Sequence, residues 1–379
     1  MTDTMNADSE RRELIKRASS AQNVKKRYAK ERRFKMYGAA AVLSAVAMLL
    51  LLLVTIIGNG YSAFFQYEVG LDIELKTERL RIGDVRDEKA LSSARYRNVV
   101  RDALKTEFPE VKGRKAKRSL YGIVSSGSDL NVRDVVLADP SMIGGEHKIW
   151  VKASDDIDTL LKGQMTDIER WQPPGTAAPV GTDGDVRISV DANAFSDIVS
   201  NVKERLSILA DGQEDQWRAL LGIIENPRAE LAQLNASGAD ADSIQSLQTS
   251  INQNAEQADG LEADVSDLRA RAATPDSSEQ LTPQLPSYLV TVNGGVVKLS
   301  DVSNDEVHGV ALVPLQSENA SAPGTWEIVS YVTPESNRRV KDQEIAWISR
   351  LQEKGRVESR FNISFFQTGD SREPELAGI

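Results

Sequence analysis

Cysteine is absent from the chain, and histidine occurs only at His147 and His308. The first absence excludes disulfides, thiol nucleophiles and cysteine-ligated zinc. The second all but closes off a histidine-rich metal site or a histidine-based triad; His147, close to Trp150, reads as a surface or packing residue. A P-loop, a GxGxxG after a strand, HExxH and G-x-S-x-G are also missing. Carboxylates are plentiful, 56 Asp and Glu against 46 Lys and Arg, so acidic pairs are expected from abundance and mark no acid–base site. Asp183-Gly184-Asp185 has the start of a calcium loop without its spacing or closing Glu, and reads as a turn. Nothing here calls for an enzyme, a metal or a cofactor. The net charge of −10 argues against a nucleic-acid partner, which needs a basic face.

What the chain has is one long apolar run. Gly38 to Gly58 is 21 residues without a charge, and Leu49 to Leu53 are five consecutive leucines. At about 1.5 Å per residue such a helix spans roughly 30 Å, the thickness of a bilayer's hydrocarbon core. Residues 1–37 carry eleven Lys and Arg against five Asp and Glu, and seven of the eleven lie between Lys25 and Lys35. The positive-inside rule keeps that end in the cytoplasm and sends the acidic remainder across. A cleaved signal peptide is the competing reading. The long N-terminal region, the length of the run and the lack of a clean small-x-small site speak against it.

Beyond the span, Tyr67, Val69, Leu71, Ile73 and Leu75 alternate with Glu68, Gly70, Asp72, Glu74 and Lys76, which predicts a strand with one wet face. Residues 87–108 have helical spacing up to Pro109. A basic run follows at Lys112, Arg114, Lys115, Lys117 and Arg118. It reads as an anion or lipid-headgroup contact, or as a solvated loop, the commoner outcome. Asp129 is placed to cap a helix through Ala138, and Asp155 or Asp156 a short one ending near Gly163. Prolines and glycines at 173–181 predict a linker before a strand at 186–190. Helices are predicted over 192–209 and over 205–234, the latter interrupted by Pro227.

Ile244, Leu247, Ile251, Asn254, Ala258, Leu261, Val265 and Leu268 then step by three and four, a heptad core with one polar position. It can close an intramolecular hairpin with residues 205–234 or pair two chains. Its shortness and the small Ala258 favour the hairpin. After a second Pro/Ser linker, strands near 288–292, 296–299, 307–315 and 326–332 predict a small antiparallel sheet. Residues 340–354 follow as an amphipathic helix.

The expected architecture is a single-pass transmembrane helix plus an α+β extracytoplasmic domain with a coiled-coil-like helical hairpin insertion. Its segments are a basic cytoplasmic N-terminus (1–37), the span (38–58), a first α+β part (64–172), a linker and strand (173–190), the helical insertion (191–273), a small β part (274–340), and a helix with an extended lead-in (341–379).

The C-terminal stretch carries a resemblance. Trp347, Arg350, Gly355-Arg356, Arg360-Phe361-Asn362, Phe365-Phe366 and above all Gly369, Asp370, Ser371, Arg372, Glu373, Pro374, Glu375 and Leu376 resemble a segment of bacterial phosphate ABC transporter permeases. The match is to the PstA type, in the long variant common in alphaproteobacteria. Arg32-Arg33-Phe34, residues 97–104, 135–141, 154–162 and Thr333-Pro334-Glu335-Ser336 are similar too. The resemblance implies an inner-membrane subunit whose first span and enlarged periplasmic loop are seen here, with the permease core expected to follow. It further implies three partners: another permease subunit, the ATPase subunit and the periplasmic phosphate-binding protein. Net acidity argues against the body itself holding the anion. The rival expectation is a membrane-anchored periplasmic scaffold that self-associates through the heptads.

Overall fold

The computed structural model describes residues 10–16, 21–83, 87–238, 240–275 and 278–362. The chain divides into two compact units, Met1–Phe65 and Gln66–Ile379. In the first, helix α1 (residues 10–16) precedes α2 (Ala21–Gly60). The basic stretch and the apolar run are one continuous helix of 40 residues. Residues 28–58 are long and apolar enough to cross a membrane, and Val42, Leu43 and Met48 to Val54 are all exposed. Thr55 turns its hydroxyl back onto the Leu51 carbonyl at 2.8 Å, the internal pairing that an apolar surrounding requires.

The second unit is built on two sheets. β1 (Phe65–Glu74) buries Val69, Leu71 and Ile73, and the exposed or half-buried Glu68, Asp72 and Glu74 alternate with them. It pairs antiparallel with β2 (Glu146–Lys152), and β11 (Val357–Phe361) joins its other edge in the order β11-β1-β2. Arg356 pairs with Asp72 and Arg360 with Glu68, so β11 retraces β1 toward its starting end. Against this sheet pack α3 (Thr77–Leu80), α4 (Glu88–Ser92), α5 (Tyr96–Glu107), α6 (Arg114–Tyr121), α7 (Ser128–Ala138) and α8 (Asp155–Leu161).

Residues 87–108 are two helices rather than the one expected. Ser93 turns its hydroxyl onto the Lys89 carbonyl at 2.9 Å, the side-chain competition that ends short helices. The basic run is not a loop, because Arg114 to Tyr121 is helical. The caps of α7 and α8 are Gly127 and Ser154, one residue ahead of the helical segments that hold the expected aspartates.

The large sheet has eight strands where four were expected. They are β3 (Ile168–Trp171), β4 (Ala177–Val180), β5 (Asp185–Val190), β6 (Glu279–Gln280), β7 (Ser287–Val292), β8 (Gly295–Val302), β9 (Glu306–Val313) and β10 (Glu327–Tyr331). The order is β3-β10-β7-β8-β9-β5-β4, with β6 on β8, and each of these pairings is antiparallel. The segment expected as a linker supplies β4, whose Pro179 is tolerated because the strand lies at the edge. β7 and β8 turn at Asn293 and Gly294, both at positive φ (49° and 67°), which a two-residue hairpin of this hand demands.

Neighbouring residues point to opposite faces of this sheet. Leu289, Val296 and Val329 share a core with the first sheet's helices, and Val290, Val297 and Ile328 share a second one. Helix α11 (Asp342–Glu353) seals the first face with Ile345, Trp347, Ile348 and Leu351, and Trp347 lies 6.0 Å from the Phe108 ring. Phe195, which caps α9 (Ser196–Ser237), seals the second together with Ile198, Val202 and Leu206.

At the start of α11 sits a buried ionic cluster. The Asp342 carboxylate accepts from the Ser287 hydroxyl (2.9 Å) and lies 2.8 Å from the Lys298 ammonium; Arg338 pairs with it and donates to Ser287 at 2.8 Å. Arg338 and Asp342 are 0% and 1% exposed at their side chains. Burial pushes the Asp342 carboxyl up, but the Lys298 hydrogen bond and the Arg338 charge outweigh it and hold it below its ordinary 3.8. A carboxyl depressed by folding stabilises the fold above its ordinary value and loses that contribution as pH falls through the folded value. Asp342→Asn is therefore expected to cost about 3–5 kcal/mol at pH 7, since it strands the buried Arg338 guanidinium. In urea titrations the gap to the parent chain should narrow below about pH 4.

Candidate functional site

The eight heptad positions are all buried or half-buried on α10 (Ala241–Ala273), with Ile251, Ala258 and Val265 the most enclosed. Their cover is the same chain. α9 runs unbroken through Pro227 for 42 residues, not as the two pieces expected, and returns through Gly238 in the left-handed region. Val202, Leu206, Leu209, Gln213, Trp217, Leu220, Ile224, Pro227, Leu231 and Leu234 supply a matching seam, buried or half-buried throughout. That second run of threes and fours is present in the sequence but is obscured by Gln213 and Pro227. Arg269 on α10 reaches both Asp211 (3.1 Å) and Glu214 on α9, which fixes the two helices as antiparallel.

Of the remaining predicted positions, Gly38, Leu49, Leu53 and Gly58 lie on the exposed stretch of α2. Residues 369–376 lie outside the described residues. His147 Nε2 is 3.1 Å from the Met142 carbonyl, and His308 Nε2 is 3.0 Å from Glu306. Among the described residues, no three His, Cys, Asp or Glu side chains are grouped to hold a metal.

The basic run gains a setting that periodicity could not supply. Arg114 and Arg118 of α6 and Arg97 and Arg101 of α5 line one cavity of about 690 Å³ with Arg339 from the loop before α11. Val100, Leu104 and Val124 form an apolar floor, and Ser125, Ser126, Ser128 and Ser154 contribute hydroxyls. Asp155 and Asp156 also line it, so five cations face two anions.

The serine loop is held in place. Ser125 N–H donates to the Lys152 carbonyl (2.9 Å), Gly127 N–H to the Ser125 hydroxyl (3.1 Å), and Ser154 N–H to the Ile123 carbonyl (3.1 Å). Arg97 donates to the Ser126 carbonyl at 3.0 Å and faces Asp129 at 3.4 Å; Arg339 faces Asp156 at 3.3 Å. Arg101 lies 5.1 Å from the Tyr121 ring centre. Among the described residues, Arg101, Arg114 and Arg118 form no ion pair. The arrangement concentrates positive charge in an otherwise acidic chain, and it presents neither a paired nucleophile and base nor a metal set.

Residues 21–169 match a family model described as a domain of unknown function, DUF3333. The matched segment runs from α2 into β3 and holds every cavity-lining residue except Arg339. No curated protein matches the chain.

The hairpin bears on self-association. A Leu247→Cys chain carries a single thiol, at a half-buried position facing α9. A bifunctional thiol reagent is expected to leave it monomeric on a denaturing gel. A strong dimer band would mean that the heptads pair between copies.

Proposed function

We propose that the chain is the membrane-anchored N-terminal part of a phosphate ABC importer permease subunit of the PstA type. In this reading α2 spans the bacterial inner membrane with its N-terminus in the cytoplasm. The body lies in the periplasm, where it has an accessory or structural role in uptake and no catalytic one. Its partners are the other permease subunit, the ATPase subunit and the periplasmic phosphate-binding protein.

The observation that carries this reading, beside the C-terminal resemblance, is the course of the chain through the body. It comes in along β1 and goes out along β11, and Lys152, opposite Glu68 in β2, reaches Asn362 at 3.1 Å. Adjacent roots suit a loop domain set between two membrane helices. The scaffold alternative needs a free heptad face, and α9 of the same chain occupies it.

A reporter fused after Phe65 should be active on the periplasmic side, and a cytosolic signal would reject the topology. Removing residues 66–362 in frame from a complete permease should lower phosphate uptake. Unchanged uptake together with unchanged affinity for the binding protein would reject a role in transport.

A further inference from the structure

We infer that the cavity between α5, α6 and the serine loop is a binding site for a phosphoryl group, either inorganic phosphate or the head of a small phosphate monoester. Guanidinium forks match tetrahedral oxyanions in two-point contacts, and they cannot lose their charge at any working pH. Three of the arginines here, Arg101, Arg114 and Arg118, have no carboxylate partner among the described residues, although the chain carries ten more acidic than basic groups. Unneutralised cations gathered at a concave surface in an acidic protein repel one another, and an anion relieves that repulsion.

A second observation points the same way. Ser128 lines the cavity, is 4% exposed, and its hydroxyl makes no hydrogen bond among the described residues. That hydroxyl has no protein acceptor among the described residues and lines the cavity, so it can donate to a bound oxyanion. Asp155 and Asp156 at the rim set a limit on charge: a carboxylate-rich ligand would meet them, whereas one compact dianion can sit among the arginines. The volume exceeds what a bare oxyanion fills and leaves room for a small organic substituent.

The inference does not depend on the transporter reading, because it is tested by binding alone. The full chain in a neutral detergent is titrated calorimetrically with inorganic phosphate and with glycerol 3-phosphate at constant ionic strength. Saturable binding of one or both is expected. Equal affinity for the two assigns recognition to the phosphoryl group alone, and preference for glycerol 3-phosphate adds the organic substituent. Arg101→Ala and Arg118→Ala should each weaken binding about tenfold or more, and Ser128→Ala several-fold. Both arginines are exposed, so the thermal midpoint should hold. The double variant Lys115→Ala, Lys117→Ala removes two cations of the same helix that do not line the cavity, and it should bind as the parent does. Absence of saturable binding to either compound would overturn the inference. So would a loss in the lysine variant equal to that in the arginine variants, which would indicate a diffuse surface charge.

Discussion

The buried Asp342 carboxylate is the point at which the body is tied together. Ser287 comes from β7, Lys298 from β8, and Arg338 from the segment leading into α11; all three converge on one side chain. Bringing these charges out of water is costly, and the pairing offsets the cost only when each partner is in place. The cluster therefore specifies where α11 begins more than it adds to stability. That matters because α11 presents Trp347 to Phe108 and Leu351 to the first sheet's core while lying on the large sheet. With its start fixed, the two sheets share one apolar interior.

The large sheet is covered on both faces, by α11 on one and by the first turns of α9 on the other. From Trp217 onward α9 leaves the sheet and, among the described residues, packs against α10, with Ile224, Ile251 and Ala258 as a small separate core. The hairpin is thus an arm held by a narrow seam, and its polar positions, Asn254 and Gln213, sit in that seam. Such residues favour one register over its neighbours at some loss of stability. The arginine-lined cavity makes a related point about charge. A chain of net charge −10 gave good reason to discount an anion site, but net charge describes the far field, whereas binding answers to the groups within a few ångströms.

Much of this could be read in advance wherever periodicity was strong. The alternation from Tyr67 to Lys76 became β1, the heptads became the buried face of α10, and the strands expected near 288–292 and 296–299 became the paired β7 and β8. Weak local signals failed in predictable directions. Ile168–Trp171 is a four-residue strand whose partner β10 lies far along the chain, and Ala177–Val180, although it pairs with the neighbouring β5, is as short and carries Pro179, so neither stands out locally. Pro227 suggests a break, yet α9 carries it because the seam with α10 supports the turns on either side. The cavity was legible only as a basic run. Its other walls come from α5, from the serine loop and from Arg339, more than 200 residues further on, and only tertiary packing assembles them.

The pairing of β1 with β11 has a mechanical side. Because the two strands are antiparallel neighbours, the start of β1 and the end of β11 lie side by side, and a pull applied between those two ends would open their ladder one rung at a time, like a zipper, instead of loading all the rungs together in shear. Resistance to such a pull would be small at that seam, so the two strand ends would part before the interior of the body felt any strain.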